Sequence, residues 1–297
     1  MNIKELRYYH DLVIQKNFSK VATHFGVAQP TITMAIQRLE RELGAPLFIR
    51  SQSHHDLTVT ASGLQFDQHV QTILRELEVA HQELSRAKQE RIRFGLPPII
   101  GNYFFPAYTP ALLAAGLLQR LEVEDHGSRE LTKMLAHGII DMALLGSLAP
   151  LQQDSFSTQV ITRAPIQIIV APDHPLATRT TGVSFQDLKK EPFITLANEY
   201  VHAQAFHQVS RAAGVRPKVV FKTHDVHVLK TLVAKNSGIS FLTTLALEPQ
   251  DHLVALPLLD LGAPEFIISV ATRANRLLSP YGQELWGYWR MNTIKPS

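Results

Sequence analysis

The chain of 297 residues has no cysteine and no run of 18 consecutive apolar residues. The lack of cysteine excludes disulfide bonds, thiol catalysis and a cysteine-based redox sensor. The lack of a long apolar run excludes a membrane-spanning helix of ordinary length. The sequence also lacks the GxSxG, P-loop, GxGxxG and HExxH patterns of nucleophilic, phosphate-binding, dinucleotide-binding and zinc sites. We therefore predict a protein that is not an enzyme and that carries no cofactor and no metal.

Positive and negative side chains nearly cancel, since 29 Lys and Arg stand against 26 Asp and Glu, for a net charge of +3 at pH 7. Charge alone therefore does not indicate a nucleic-acid-binding protein, and such a function has to rest on the arrangement of residues. Residues 1–5 open an amphipathic helix rather than a signal peptide, so we expect a cytoplasmic protein that does not contact a membrane.

Two short helices around a tight turn are predicted between residues 18 and 43. Ser19 is a good N-cap for the first helix, and Gly26 ends it because glycine tolerates a positive φ. Pro30 suits the first turn of the second helix, where its missing N–H costs nothing. A single buried stripe follows, formed by Ile32, Ile36, Leu39 and Leu43. This pattern is typical of a helix-turn-helix, and its alternative is an ordinary amphipathic pair in an all-helical domain.

The opposite face of the second helix is polar and suits contact with DNA. Short hydroxyls and an amide reach base edges in the major groove, whereas arginines reach phosphates. This face carries Pro30, Thr33, Met34, Gln37 and Arg41, with Arg38 beside it.

A long helix with a narrow apolar seam follows, since no Pro or Gly occurs between Leu64 and Phe94. The apolar residues alternate in steps of four and three, which is typical of a coiled coil. They are Phe66, Val70, Ile73, Leu77, Ala80, Leu84 and Ala87. We expect this helix to pair with its twin in a dimer, and the alternative is a helix packed on its own domain. A dimer would place two recognition helices about one DNA turn apart on a partly palindromic site.

From Arg91 onward, short apolar runs alternate with helical stretches, which favours an α/β module of mostly parallel sheets. The predicted strands are Ile92–Leu96, Leu121–Glu124, Asp141–Leu145, Ile166–Ala171, Phe193–Leu196, Val219–Lys222, Ile239–Leu242 and Phe266–Ala271. The predicted helices are Tyr103–Leu118, Arg129–His137, His202–Ala213, Val226–Lys235 and Pro280–Met291.

The N-terminal stretch resembles the DNA-binding domain of LysR-type transcriptional regulators. The matching residues are Ser19, Ala22, Gln29-Pro30-Thr31, Thr33, Leu39-Glu40, Leu43-Gly44, Leu47-Phe48, Arg50 and Thr60-Ala61-Ser62-Gly63. The resemblance continues through Asp173-His174-Pro175-Leu176-Ala177 and through Leu232-Val233-Ala234 before Gly238-Ile239, so it covers essentially the whole chain.

The resemblance implies a three-part architecture of the α/β class. Residues 1–60 would form a winged helix-turn-helix and residues 61–90 a dimerising linker helix. Residues 91–297 would form an effector-binding domain of two lobes, like periplasmic binding proteins. The first lobe would comprise 91–163 and 265–297, and the second 164–264, with the chain crossing near Arg163-Ala164 and Ala263-Pro264.

The resemblance also implies which residues meet DNA. Gln29, Pro30, Thr33 and Met34 would face base edges, and Thr31, Arg38 and Arg50 would approach the backbone. Met34 stands where the family often has arginine, so a thymine-methyl contact is expected in place of a guanine contact. The complete candidate set is Ser19, Gln29, Pro30, Thr31, Thr33, Met34, Gln37, Arg38, Arg50, His54 and Thr60.

Ligands of open α/β sheets bind beyond the carboxyl ends of strands, near helix N-termini whose free N–H groups favour anions. The resemblance places the effector cleft between the lobes at such positions. The candidates are Pro98, Ile99, Gly101, Ser128, Gly146, Thr195, His202, Thr223 and His224. Pro98 and Ile99 lie in a predicted loop where the family often has hydroxyls, which favours a more apolar cleft. A histidine beside a carboxylate ligand would strengthen binding as the pH falls.

These observations predict a DNA-binding regulator, a homodimer or homotetramer, controlled by a small-molecule effector. Lys16-Asn17-Phe18-Ser19 and residues 31–36 are similar to a narrower group, the malolactic-fermentation regulators of lactic acid bacteria. That similarity implies an activator with a dicarboxylate effector such as L-malate. The alternatives are a regulator of another pathway with an aromatic or amino-acid effector and a stand-alone small-molecule binding protein.

Overall fold

The computed structural model describes the chain in six ranges, namely residues 1–50, 57–86, 90–152, 154–179, 181–274 and 276–291. It divides into two compact units, an N-terminal unit of Met1–Leu84 and a C-terminal unit of Ser85–Ser297. Within the six described ranges, no helix combines the length and the apolar character needed to cross a membrane.

The N-terminal unit consists of a helical core and a two-stranded hairpin. Its elements are α1 (Ile3–Gln15), α2 (Phe18–Phe25), α3 (Gln29–Leu43), β1 (Phe48–Arg50), β2 (Leu57–Val59) and α4 (Ala61–Arg86). The prediction of Ser19 as the N-cap of α2 is wrong, because the Asn17 side chain accepts the Lys20 backbone N–H at 3.0 Å. Gly26 does end α2, with a φ of 64°.

The buried face of α3 consists of Ile32, Ala35, Ile36 and Leu39. Leu43, predicted to continue this stripe, is 40% exposed, so that part of the prediction is wrong. Leu43 is the last residue of α3, because Gly44 ends the helix with a φ of 66°.

The first turns of α4 pack onto the helical core. Val70 is fully buried there, and the half-buried ring of Phe66 lies 5.1 Å from the ring of Tyr9. The Tyr9 hydroxyl also donates to the Gly63 carbonyl at 2.6 Å. Val70 therefore belongs to the core of its own unit rather than to a dimer seam, whereas a dimer contact through the half-buried Phe66 stays a prediction.

The later seam residues differ from these two. Ile73 is 43% exposed, Leu84 is 76% exposed and Leu77 is half-buried. Ala87 lies outside the described residues. A dimer contact through Ile73, Leu77 and Leu84 stays a prediction.

The C-terminal unit is built on nine strands and six helices within the described ranges. The strands are β3 (Ile92–Gly95), β4 (Leu121–Glu124), β5 (Met142–Ser147), β6 (Phe156–Val170), β7 (Pro192–Leu196), β8 (Lys218–Thr223), β9 (Ser240–Thr243), β10 (Val254–Leu256) and β11 (Glu265–Arg273). The helices are α5 (Pro98–Tyr103), α6 (Thr109–Ala114), α7 (Ser128–Ala136), α8 (Val201–Ala212), α9 (Val226–Ala234) and α10 (Pro280–Met291).

The strand pairing is mixed, so the expectation of mostly parallel sheets is wrong. Seven strands form one sheet in the order β10-β6-β11-β5-β3-β4, with β9 beside β6, and β7 pairs with β8 separately. Only β3–β4, β3–β5 and β7–β8 are parallel among the described strands. The cause is that β6 and β11 run antiparallel to each other along most of their length.

β6 and β11 join two lobes. β6 pairs with β11 as far as Pro165, and from Ile166 onward it pairs with β9 and β10. We name the group of β3–β5 with α5, α6, α7 and α10 the first lobe, and the group of β7–β10 with α8 and α9 the second lobe. The prediction began this strand at Ile166 because the preceding residues include polar Ser, Thr, Gln and Arg side chains.

The predicted helix Tyr103–Leu118 is wrong as a continuous element. The segment instead contains the end of α5, a 3-10 turn at Phe105–Tyr108, α6, and a second 3-10 turn at Leu118–Arg120. Pro106 and Pro110 each begin a new turn, and Gly116 follows α6 with a φ of 71°. The predicted loop at Pro98, in contrast, is the first turn of α5.

Candidate functional site

The exposed face of α3 carries polar side chains that the core does not use. Gln29, Thr31 and Gln37 are exposed, as is Pro30, and Met34 is 62% exposed. The Gln29 amide nitrogen donates to the Thr33 hydroxyl oxygen, one turn later, at 2.9 Å. Ala28 caps α3 without a side-chain hydrogen bond, but Pro30 has no N–H and the Thr31 N–H donates to the Ala28 carbonyl at 2.9 Å, so of these first three residues only Gln29 offers its N–H to an anion. This face can contact base edges and a phosphate together.

Arg38 is positioned by a buried carboxylate of α1. Its Nε lies 2.9 Å from Oε1 of Glu5, which is only 3% exposed. Glu5 also forms a capping box with Asn2 at the start of α1. Because a buried carboxylate needs a partner, Arg38 has a structural role in addition to the predicted contact with the DNA backbone.

Glu40 and Thr60 fix the hairpin that follows α3. Glu40 accepts the backbone N–H groups of Leu47 and Phe48 at 2.8 and 3.1 Å. Thr60 donates to the Pro46 carbonyl at 2.8 Å and accepts the Gly63 N–H at 2.9 Å. The hydroxyl of Thr60 is thus engaged at the joint between the hairpin and α4.

The remaining DNA-binding candidates have less structural support. Ser19 is exposed in the first turn of α2. His54 and the side chain of Arg50 lie outside the described residues.

A small cavity lies between the two lobes of the C-terminal unit. Its volume is about 20 Å³, close to that of one water molecule. The residues that line it are Pro97, Pro98, Ile99, Gly127, Ser128, Glu199, Tyr200, Val201, His202 and Phe266. The fold therefore brings four of the nine effector candidates together here, namely Pro98, Ile99, Ser128 and His202.

Besides α5, two helices begin at this cavity, one from each lobe. The N-caps of α7 and α8 are Gly127 and Tyr200, and neither makes a side-chain capping hydrogen bond. The Ser128 hydroxyl oxygen accepts the Gly146 N–H at 2.8 Å, which leaves its own O–H free to donate. Helix N-termini and a donating hydroxyl favour an anionic ligand such as a carboxylate.

His202 contributes a further donor in a fixed tautomer. Its Nε2 accepts the Thr243 N–H at 3.2 Å, so Nδ1 carries the proton of the neutral ring. Burial lowers the pKa of His202 to about 3, and Nδ1 has no hydrogen-bond partner among the described residues. The expectation that a cleft histidine gains charge as the pH falls therefore does not hold for His202. Its ring stacks on Phe266 with centroids 5.1 Å apart.

The other five effector candidates do not line this cavity, and a contact between any of them and an effector stays a prediction. Gly101, which is in α5, lies beside the side chain of Leu96, and Gly146 lies against the ring of Phe266. The remaining three candidates are Thr195, Thr223 and His224.

Thr195 is buried in β7, and its hydroxyl has no partner among the described residues. Thr223 accepts the Asp225 N–H at 3.0 Å, and the exposed His224 pairs with the Glu199 carboxylate. Thr223 and His224 thus hold the rim of the cavity rather than its wall. Two cavity residues were not predicted. Tyr200 lies two residues before the predicted helix His202–Ala213, and Phe266 is the first residue of the predicted strand Phe266–Ala271.

A wider depression of about 420 Å³ opens beside the cavity. Its residues are Pro98, Asp125, His126, Gly127, Arg129, Glu130, Glu199 and Tyr200. Glu130 pairs with Lys133 at 3.0 Å, and this hydrogen bond lowers the pKa of Glu130. The depression and the cavity share Pro98, Gly127, Glu199 and Tyr200 in their linings.

Comparison with known proteins agrees with both halves of the chain. Residues 3–64 match the family described as bacterial regulatory helix-turn-helix protein, lysR family, and residues 85–292 match the LysR substrate binding domain. A malolactic fermentation system transcriptional activator of Lactococcus lactis is 32% identical over 280 residues, which is 94% of each chain.

Solved structures share the fold. Full-length OxyR from Pseudomonas aeruginosa has a TM-score of 0.57 at 22% identity and covers 99% of this chain and 100% of its own. The effector binding domain of QuiR in complex with shikimate has a TM-score of 0.59 at 16% identity, covering 68% of this chain and 96% of its own. Because the family matches span most of the chain, it belongs to the LysR family and is a LysR-type transcriptional regulator with an effector-binding domain.

Proposed function

We propose that this regulator is cytoplasmic, acts without enzymatic activity and responds to a small carboxylic acid held in the interlobe cavity. L-malate is the first candidate, and the genes it controls would be those of malolactic fermentation. The observation that carries the effector class is the convergence of two uncapped helix N-termini with the Ser128 and His202 donors. The similarity to the Lactococcus lactis activator supports the choice of L-malate.

The size of the cavity adds a mechanical consequence. A volume of about 20 Å³, close to that of one water molecule, is too small for a dicarboxylate such as L-malate. Binding therefore requires the lobes to change their arrangement, and a ligand shifts that equilibrium by its difference in affinity for the two states. A difference of about 1–3 kcal/mol is enough for a regulatory response.

An aromatic or amino-acid effector is the second candidate. The cavity wall is largely apolar, because Pro97, Pro98, Ile99 and Phe266 form much of it. Such a wall favours a ring or a hydrocarbon chain attached to the carboxylate.

On the DNA side, α3 would lie in the major groove of a partly palindromic site, and Ile73, Leu77 and Leu84 would join two chains. A homodimer is the minimum that such a site requires. The edge strand β8 supports further assembly to a homotetramer, because Val219, Val220 and Phe221 are 37–48% exposed there.

A thermal-shift series tests the effector. The unaltered protein is heated with L-malate, D-malate, aromatic acids and amino acids in turn. At a ligand concentration of about one hundred times Kd, the free energy of unfolding rises by about 2.7 kcal/mol. We expect the shift with L-malate to vanish in Ser128→Ala and to persist in Ser155→Ala, a change at an exposed serine. A response only to another class replaces the pathway, and no response to any carboxylic acid contradicts the proposed effector class.

A further inference from the structure

A buried lysine lies behind the cavity, on α9 of the second lobe. The side chain of Lys230 is only 3% exposed. Its ammonium group lies 2.8 Å from Asp251 Oδ2, 3.0 Å from the Ala246 carbonyl and 3.5 Å from Glu248 Oε2. These three partners belong to the same lobe as the lysine, so its charge is satisfied there.

The same ammonium group also makes a contact across the lobes. It lies 4.5 Å from the ring centroid of Tyr103, the last residue of α5 in the first lobe. A cation at this distance from an aromatic ring is attracted by the ring quadrupole, most strongly where water is excluded. Since Asp251 already compensates the charge, the tyrosine ring is not needed to keep the lysine buried.

Helix α5 connects this contact with the cavity. Pro98 and Ile99, at its N-terminal end, line the cavity, and Tyr103 is at its C-terminal end. Six residues of helix span about 9 Å. Ile100 is fully buried between these ends, in an apolar core that also contains residues of the second lobe. A displacement of the first lobe that makes room for a ligand therefore also changes the distance from Tyr103 to Lys230.

We propose that Tyr103 and Lys230 form an interlobe latch, which holds the lobes together when the cavity is empty and yields when a ligand enters. The latch itself is independent of the effector's identity, and only its response to L-malate rests on the proposed function. Loss of the latch shifts the lobe equilibrium toward the arrangement that accepts a ligand. None of the ligand's binding free energy is then used to break the contact between Tyr103 and Lys230.

The absence of cysteine from the sequence makes a direct test possible. Gln119→Cys in the first lobe and Lys190→Cys in the second change two exposed residues, and both cysteines take spin labels. Interlobe distances are measured by pulsed dipolar spectroscopy on the full-length protein, diluted with unlabelled chains. Tyr103→Leu removes the ring, and Tyr103→Phe keeps the ring but lacks the hydroxyl.

Without ligand, we expect Tyr103→Leu to broaden or lengthen the interlobe distance distribution. We expect Tyr103→Phe to give the same distribution as the unaltered protein. Tyr103→Met replaces the leucine variant if that variant does not fold. Unchanged distances in the variant without the ring overturn the latch. A phenylalanine variant that behaves like the leucine variant overturns the cation–π contact, because the Tyr103 hydroxyl would then carry the interaction with Lys230.

Titration with L-malate gives the second readout. The leucine variant should bind L-malate about two- to thirty-fold more tightly than the unaltered protein, the range expected when one cation–π contact no longer opposes opening. Equal or weaker binding in that variant contradicts the coupling between latch and cavity. If L-malate fails to bind the unaltered protein, the proposed effector is wrong, whereas the distances measured without ligand still decide whether the latch exists.

Discussion

Helix α3 and the interlobe cavity use their side chains in opposite ways. On α3, Gln29 and Met34 project into solvent and take no part in the core. In the cavity, the side chains of His202 and Ser128 each accept a backbone N–H. His202 keeps its Nδ1–H and Ser128 its O–H as a further donor. The exposed face can therefore be altered without loss of folding, whereas changes in the cavity wall affect stability and binding together.

The largest effect is expected on DNA binding. Gln29→Ala combined with Thr33→Ala removes an exposed hydrogen-bonding pair that faces the major groove in the proposed complex. We expect at least about 30-fold weaker binding to a site selected from random DNA, because each of the two lost base contacts contributes about 1–3 kcal/mol. Mobility shift measures the affinity, and thermal unfolding should be unchanged.

The control for this prediction is Gln68→Ala, which alters an exposed glutamine of α4. Equal affinity of the double variant and the control would show that α3 is not the recognition helix.

The next effect concerns the packing of the cavity floor. A methyl group at Gly146 would lie 2.5 Å from the Phe266 ring, whereas one at Gly287 in α10 meets nothing within 4 Å. We expect Gly146→Ala to lower the free energy of unfolding by about 1–3 kcal/mol through overpacking. Gly287→Ala should raise it by up to about 1 kcal/mol through helix propensity.

Urea unfolding followed by tryptophan fluorescence reports on this unit, because both tryptophans of the chain lie in α10. A neutral Gly146→Ala would mean that Phe266 moves aside easily, and the cavity floor would then not be fixed.

A third effect distinguishes a buried histidine from an exposed one. The pKa of His202 is about 3 in the folded chain and about 6.5 when unfolded, so the unfolded state binds more protons between these values. Stability is therefore complete above pH 6.5 and is lost as the pH falls. From pH 7 to 5.5 the loss is about 1 kcal/mol.

His202→Gln keeps an acceptor for the Thr243 N–H but does not titrate, so it should lack this loss. Unfolding in urea at the two pH values measures the difference between variant and unaltered chain. The same pH slope in both proteins would contradict a neutral, buried His202.

The smallest effect tests whether Thr60 stabilises the N-terminal unit or contacts DNA directly. Its hydroxyl joins the hairpin to α4, so Thr60→Ala should lower the stability of the N-terminal unit by about 1 kcal/mol, as at other helix N-caps. Thr60→Ser should restore most of it. Hydrogen exchange of the N-terminal amides measures the loss, and weaker DNA binding without any loss of protection would favour a direct contact with DNA.

The N-terminal unit was the more predictable of the two. Ile32 and Leu39 were placed in the core and Gly26 at the turn, because helical periodicity and a positive φ depend on neighbouring residues. The errors there, at Ser19 and Val70, arose where the prediction did not weigh a competing Asn cap or the docking of α4 on its own unit.

In the C-terminal unit, most helices and strands were placed within a few residues, but their pairing was not. Antiparallel pairing of β6 with β11 joins residues a hundred positions apart, which no local pattern encodes. For the same reason, only some of the residues that line the cavity were predicted. Ser128 and His202 start helices and were recognised as such, whereas Phe266 reaches the cavity only because β11 crosses between the lobes.

The sequence by itself determined the family and most secondary structure, since these depend on spacing along a few turns of chain. Only the tertiary structure decided which residues share the cavity, why His202 stays neutral and how Lys230 meets Tyr103. The physical reason is that burial, desolvation and contacts between lobes arise from residues far apart in the chain, whose proximity exists only once the fold has formed.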